Sequence, residues 1–240
     1  MSILKEYIDR SLKENFIETG VLADTAVNKL TVFEHKDSKK RLVLIKSVNR
    51  NDGVFRALKS KDTNGLLPMI YEVASEEDAL YVLEEYIEGE TLFEKYKNTA
   101  PSDEDLKQIL LSVCDALSIL HNMKIVHRDV KPNNIIIRND KTVCLVDFSI
   151  AKMMNDSAKD TVNLGTIGYA APEQFGLAQS NPTTDIYAFG VLANQLVLGV
   201  YPTVQIPKGR LGKIIEKCTA TQISKRFQSA EELKKALQHI

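Results

Sequence analysis

Ile3, Leu4, Ile8 and Leu12 lie at helical spacing, which predicts a short amphipathic helix at the start of the chain. The pattern then changes. Residues 30–33 and 41–48 are apolar-rich runs on either side of a polar stretch, 34–40, and predict a hairpin turning near Asp37 and Ser38. Residues 66–73 and 80–84 predict two further strands joined by the acidic turn 75–78. From residue 90 the pattern is mostly helical. Ser102 followed by Asp103, Glu104 and Asp105 is an acidic helix start, with negative charge at the positive end of the helix dipole. Leu106, Ile109, Leu110, Val113, Leu117 and Leu120 then keep the helical period to about His121. Residues 135–137 and 142–146 predict a hairpin around Asn139 and Asp140, and two helices, 211–218 and 229–239, close the chain.

Composition narrows the class. With 240 residues, 44% hydrophobic and 26% charged, the chain is an ordinary globular one that can bury a sizeable core. A formal charge of −1 argues against broad electrostatic capture of nucleic acid or anionic membrane. The three cysteines, Cys114, Cys144 and Cys218, form no CxxC pair, so zinc and redox roles are not expected. Cys114 and Cys144 lie in apolar runs and read as small core residues of a cytoplasmic protein. The first ten residues lack the apolar core of a signal peptide. The longest apolar stretch, 186–200, is too short for a bilayer span and carries Asn194 and Gln195, so a buried helix is expected there and no membrane segment.

Candidate chemistry concentrates in one octapeptide, His127-Arg128-Asp129-Val130-Lys131-Pro132-Asn133-Asn134. A carboxylate, an ammonium two residues later and a carboxamide five residues after the acid suit phosphoryl transfer, which depends on positioning and charge stabilisation. Two more motifs follow: Asp147-Phe148-Ser149 at the end of the expected hairpin, and Gly165-Thr166-Ile167-Gly168-Tyr169-Ala170-Ala171-Pro172-Glu173. On these motifs the chain resembles a protein kinase, specifically a small Ser/Thr kinase of bacterial type, over residues 16–239.

The resemblance implies an α+β, two-lobed single kinase domain, with a mainly antiparallel β lobe (1–85) and a mainly helical lobe (86–240). It implies Mg²⁺/ATP-dependent transfer of the γ-phosphate to a Ser/Thr hydroxyl of a protein, this chain itself included. By the same match Asp129 is the base, Lys131 neutralises the γ-phosphate, and Asn134 and Asp147 hold Mg²⁺. Leu44-Ile45-Lys46 matches the family's third strand, so Lys46 is expected on the α- and β-phosphates. The backbone of Glu85 and Ile87 is expected to bind adenine. Thr166 is expected near Asp129 and Lys131, Asp185 to anchor the catalytic loop through its amides, and Glu173 to pair with Arg226. Arg128, with Ser157 and Thr161 as candidate acceptors, implies an activation segment read through phosphate.

The small lobe departs from the family. Residues 20–29, where the glycine-rich loop belongs, contain one glycine. Residues 49–64 contain no Glu, and Val54 falls where the family's helix glutamate would pair with the lysine. Glu84, at the back of the expected nucleotide pocket, is the candidate replacement partner for Lys46, since a buried carboxylate needs a cation nearby. Ser149 stands where the family has glycine, and the segment 199–211 is short. These departures keep a second reading open, a pseudokinase that scaffolds or regulates a partner. A third, a small-molecule phosphotransferase, does not account for the 165–173 segment.

Overall fold

A computed structural model describes residues 2–49, 51–59, 61–154, 165–176 and 179–240. The chain divides into two compact units, 1–87 and 88–240. Together they make an α+β architecture in which the antiparallel sheet and most of the helix are segregated. Tyr86 and Ile87 stay with the first unit, where the Arg41 guanidinium stacks 4.2 Å from the Tyr86 ring centroid.

The first unit opens with α1 (Ile3–Asn15), whose N-cap Ser2 accepts from the Lys5 N–H. Ser2 is itself held by Glu76, which accepts from its N–H at 2.8 Å and from its hydroxyl. Five antiparallel strands follow: β1 (Phe16–Asp24), β2 (Asn28–His35), β3 (Arg41–Ser47), β4 (Ile70–Ser75) and β5 (Leu80–Glu85), in the spatial order β1-β2-β3-β5-β4. The β2–β3 hairpin and its turn fall where the sequence pattern puts them. β4 starts later than the expected residue 66. Gly65 is left-handed (φ 73°) and Pro68 has no N–H to donate, so the ladder begins only at Ile70. Between β3 and β4 lies one short helix, α2 (Asp52–Leu58), packed on β4 with Val54, Phe55 and Leu58 buried.

Burial alternates along the central strands, and the register decides which residues share a face. Ile45 stands opposite Val82, Val43 opposite Glu84 and Lys46 opposite Tyr81. One face therefore carries Val43, Ile45, Val82 and Glu84, all buried. The other carries Leu44, Lys46, Tyr81 and Leu83, and α1 lies across it: Ile8 and Leu12 pack with Ala74 against Phe33, Leu44, Tyr81 and Leu83.

The second unit is mostly helical: α3 (Leu92–Tyr96), α4 (Asp103–Asn122), α5 (Pro182–Leu198), α6 (Gly209–Cys218) and α7 (Ala230–Leu237). Its short strands β6 (Gly89–Thr91), β8 (Ile135–Arg138) and β9 (Val143–Leu145) form one sheet, and β7 (Ile125–Val126) pairs with β10 (Lys152–Met153). α4 and α5 form the core, the latter buried along most of its length by Ile186, Phe189, Val191 and Leu192. Gly190 is required there by packing, since a Cβ would stand 2.5 Å from that of Cys218. All three cysteines are free and buried, as core residues. No described helix is long and apolar enough to cross a membrane.

Leu12→Ala tests the docking of α1. Removing this buried side chain is expected to cost the first unit about 2–5 kcal/mol in urea unfolding. Amides of β4 and β5 are expected to lose hydrogen-exchange protection ahead of those in α4 and α5. Unchanged protection in β4 and β5 would contradict this packing.

Candidate active site

The second unit builds its site on one buried carboxylate. Asp185, in the first turn of α5, has 0% exposure and accepts three hydrogen bonds. The N–H of Arg128 donates to Oδ1 at 2.7 Å, and the N–H of His127 donates to Oδ2 at 2.9 Å. His121 Nε2, from the last turn of α4, donates to Oδ2 at 2.8 Å. Burial pushes the carboxyl's pKa up, but these donors outweigh it and hold the group below the ordinary carboxylate range. The backbone they fix is unusual. Arg128 is left-handed (φ 69°), a conformation costly for a side chain of this kind. Its carbonyl accepts from Gln174 Nε2 at 2.9 Å and its Nε donates to the carbonyl of Ile150, so the strain is held from three sides.

His127 is a structural residue here. Its Nδ1 accepts from the Asp129 N–H at 3.3 Å, which leaves the proton on Nε2 to donate to the Val146 carbonyl at 3.1 Å. Its ring meets buried Phe148 edge-on, with centroids 5.3 Å apart.

Three side chains then close a ring, and a fourth braces it. Lys131 Nζ donates to Asp129 Oδ2 at 2.7 Å and to Thr166 Oγ1 at 2.8 Å. Thr166 Oγ1 donates to Asp129 Oδ1 at 2.7 Å. Asn134 Nδ2 donates to both the carbonyl and Oδ2 of Asp129, at 3.0 and 2.9 Å. Both oxygens of Asp129 are thus oriented, and the ammonium retains one of its three donors. A carboxylate held beside a cation and a hydroxyl can orient an incoming hydroxyl and take its proton, while the cation meets developing negative charge.

Asn134 spends its amide nitrogen on Asp129, which leaves Oδ1 as the free acceptor of the amide. The Val146 N–H donates to the Asn134 carbonyl at 2.9 Å, so the residue before Asp147 is tied to Asn134. Asp147 itself is exposed and left-handed (φ 68°), with Oδ1 accepting from the Ser149 N–H. One carboxylate and one amide oxygen fit the habit of Mg²⁺, which takes few protein ligands and completes its shell with phosphate and water. Ser149 is not among the left-handed residues, so this position makes no use of a glycine's freedom.

Glu173 and Arg226 brace the segment that carries Thr166. They meet in a two-pronged ion pair at 2.7 and 2.9 Å, with Arg226 only 1% exposed. Thr184 at the start of α5 donates to Glu173, and Arg226 also donates to the Thr183 and Ala220 carbonyls. Burial raises the pKa of Glu173, and the Arg226 hydrogen bonds overcome this and hold it below the usual range. Gly168 sits at φ 92° against the Tyr201 ring, where a Cβ would come within 2.6 Å.

Ser157 and Thr161 lie outside the described residues. Sequence reasoning missed His121 and Gln174 as supports of the loop. The first read as a mere helix end; a contact across 64 residues leaves no periodic trace.

The first unit places its expected residues differently. Glu85 ends β5, with its N–H committed to the Met69 carbonyl at 2.8 Å, and Ile87 closes the unit, largely buried. Glu84 is buried at 8% exposure but shares its face with Val43 and Ile45. Lys46 is exposed on the opposite face, 5.7 Å from the Tyr81 ring centroid. The expected Glu84–Lys46 pair is therefore not formed: cross-strand parity puts the two on opposite sides of the sheet. Val54 is 1% exposed, and the one acid of α2, Asp52, is engaged by Arg56 and Ser75.

A family model for the protein kinase domain matches residues 25–240. The chain belongs to the protein kinase domain family. It is 34% identical over 150 residues to an Aurora kinase of Candida glabrata, covering 62% of this chain and 42% of that one. It is 32% identical over 170 residues to a probable serine/threonine-protein kinase of Clostridium perfringens, covering 67% and 25%. Serine/threonine-protein kinase D of Synechocystis matches at 32% over 199 residues, covering 72% and 38%. The chain thus spans between 25% and 42% of the length of these relatives.

Arg226→Met leaves Glu173 buried without its cation and is expected to cost about 3–5 kcal/mol at neutral pH. In the wild type the lowered Glu173 pKa contributes stability that is full above the unfolded-state value of about 4.3 and is lost as pH falls toward the folded value. The variant lacks the main cause of that lowering. Its destabilisation relative to wild type should therefore shrink as pH drops through and below this window. Urea unfolding of both proteins between neutral and acid pH measures it; a gap that stays constant with pH would contradict the assignment.

Proposed function

We propose that the chain transfers the γ-phosphate of ATP to a serine or threonine hydroxyl of a protein. The observation that carries this reading is the closed ring of Asp129, Lys131 and Thr166 in the second unit, with Asn134 braced on Asp129. The acceptor hydroxyl comes to Asp129 Oδ1, where it displaces or shares the Thr166 hydroxyl and gives up its proton. Lys131 orients Asp129 and turns its remaining N–H toward the charge that develops on the transferring group. Thr166 fixes the ammonium from the other side and ties the 165–173 segment to the loop. Asn134 and Asp147 are the residues that would hold Mg²⁺, which when bound would neutralise phosphate charge. The serine/threonine kinases among the relatives support a protein substrate with an aliphatic hydroxyl, as does Lys131 at its spacing from Asp129.

A second reading is favoured by one specific observation. The face of the small sheet that bears Glu84 presents Val43 and Ile45 from the centre of β3, and Lys46 lies on the other face. A chain that binds partners without transferring phosphate would tolerate that. The intact ring in the second unit weighs against it, since a scaffold has no need to orient both oxygens of Asp129.

Phosphate transfer from labelled ATP with Mg²⁺, to the protein itself and to a generic basic protein, separates the two. Asp129→Asn is expected to lower the rate by about 10²–10⁴ and Lys131→Met by about 10²–10³, with thermal unfolding close to wild type. Transfer that survives Asp129→Asn undiminished would sink the assignment of the base. No transfer by the folded wild type, with or without a relative's activating conditions, would give the scaffold reading the stronger claim.

A further inference from the structure

We propose that Lys46 holds no nucleotide phosphate in this protein, and that β3 presents Ile45 where the family's phosphate-gripping lysine is expected. This rests on the phosphoryl-transfer reading above and changes what the small unit contributes to it.

The argument begins with parity. Lys46 stands opposite Tyr81 and Lys29, while Glu84 stands opposite Val43. Successive strand residues point to opposite faces, so the face that bears Glu84, where the resemblance implies the nucleotide, carries Val43 and Ile45 of β3. Lys46 cannot reach it without a one-residue slip of β3. Such a slip would expose Val43 and Ile45, both buried, and turn Leu44 away from α1.

The face that does carry Lys46 is already occupied. α1 covers Leu44, Tyr81 and Leu83, and Lys5 of α1 places its ammonium 4.2 Å from the Tyr81 ring centroid. Lys46 approaches the same ring at 5.7 Å from beyond the end of that contact. Its neighbours are thus an aromatic ring and two other lysines, a setting for a solvated cation over an aromatic edge.

The turn between β1 and β2 agrees. A phosphate-cradling loop must offer unspent backbone N–H groups. Here the Thr25 hydroxyl takes them: it accepts from the Val27 N–H at 3.3 Å and from the Asn28 N–H at 2.9 Å. The Thr25 N–H is likewise spent on the Asn28 carbonyl at 2.9 Å. The two elements expected to grip phosphate from the small unit are both committed to other partners. Of the chain's own residues the charge stabilisation therefore falls to Lys131, and Asn134 and Asp147 are those that would hold a cation.

Amine acetylation read by mass spectrometry tests this on the wild-type protein. A lysine that grips phosphate is shielded by Mg²⁺·ATP; one that points elsewhere is not. Lys46 is expected to react at the same rate with and without saturating nucleotide, and Lys46→Met to change ATP affinity by less than about twofold. In Ile45→Lys the introduced amine lies diagonal to Glu84 on one face, and it is expected to become shielded by nucleotide while Lys46 in the same molecule does not. Shielding of Lys46 by about tenfold, or a tenfold loss of affinity in Lys46→Met, would overturn the proposal. A wild type that transfers no phosphate, with Lys46 unshielded, would count against the phosphoryl-transfer reading and leave the assignment of Lys46 standing.

Discussion

A single carboxylate with no access to solvent holds the catalytic loop in place. Asp185 fixes two consecutive N–H groups, those of His127 and Arg128, and a ring nitrogen of His121. Directly after the second of these amides the chain turns, at the left-handed Arg128. The same geometry sends Asp129 out on the far side, toward Lys131, Asn134 and Thr166. Strain at Arg128 and order at Asp129 are therefore one feature seen at two residues. A buried carboxylate without donors would cost several kcal/mol, so the loop and α5 are specified together.

Glu173 and Arg226 do for the 165–173 segment what Asp185 does for the loop. Thr183 and Thr184 join the two systems. Thr184 donates to Glu173 and also closes the cap of α5 by accepting from the Asn181 N–H, one residue before Asp185. A shift of the segment would disturb the start of α5, and through it the anchor of the catalytic loop. Gln174 adds a second tie by donating to the Arg128 carbonyl. The ring around Asp129 is thus supported on both sides by buried, hydrogen-bonded polar groups, which are costly to rearrange.

Much of this was legible in the sequence where chemistry and spacing are local. Asp129, Lys131 and Asn134 lie within six residues, and their contacts follow from one short loop. Thr166, Asp185 and the Glu173–Arg226 pair came from motif resemblance, and their partners stand where that resemblance implies. Helix α4 announced itself by its period and acidic start, and α5 by an apolar stretch too short for a bilayer span. His121 and Gln174 were not legible, because each acts across a long sequence separation through a single atom. The start of β4 was misplaced because Gly65 and Pro68 interrupt an otherwise apolar run. Lys46 is the more instructive case. Leu44-Ile45-Lys46 satisfies a three-letter pattern, but a pattern with a free position says nothing about which face of a strand it occupies.

That face is decided by the hydrophobic residues around it. β3 alternates between Leu42 and Leu44 on one side and Val43 and Ile45 on the other, so it is apolar on both sides and periodicity alone does not orient it. The choice falls to its neighbours. On β5, Tyr81 and Leu83 alternate with Val82 and Glu84, and only one pairing brings Leu44, Tyr81 and Leu83 together beneath Ile8 and Leu12 of α1. Burying those apolar groups is worth about 1.5–3 kcal/mol for each side chain fully removed from water. Holding a solvated lysine at the exposed position 46 costs little by comparison. The register is thus set by the amphipathic helix at the start of the chain, and the position of the lysine follows from it. In a small lobe with no helix across this face, the same three letters would be free to pair one residue over.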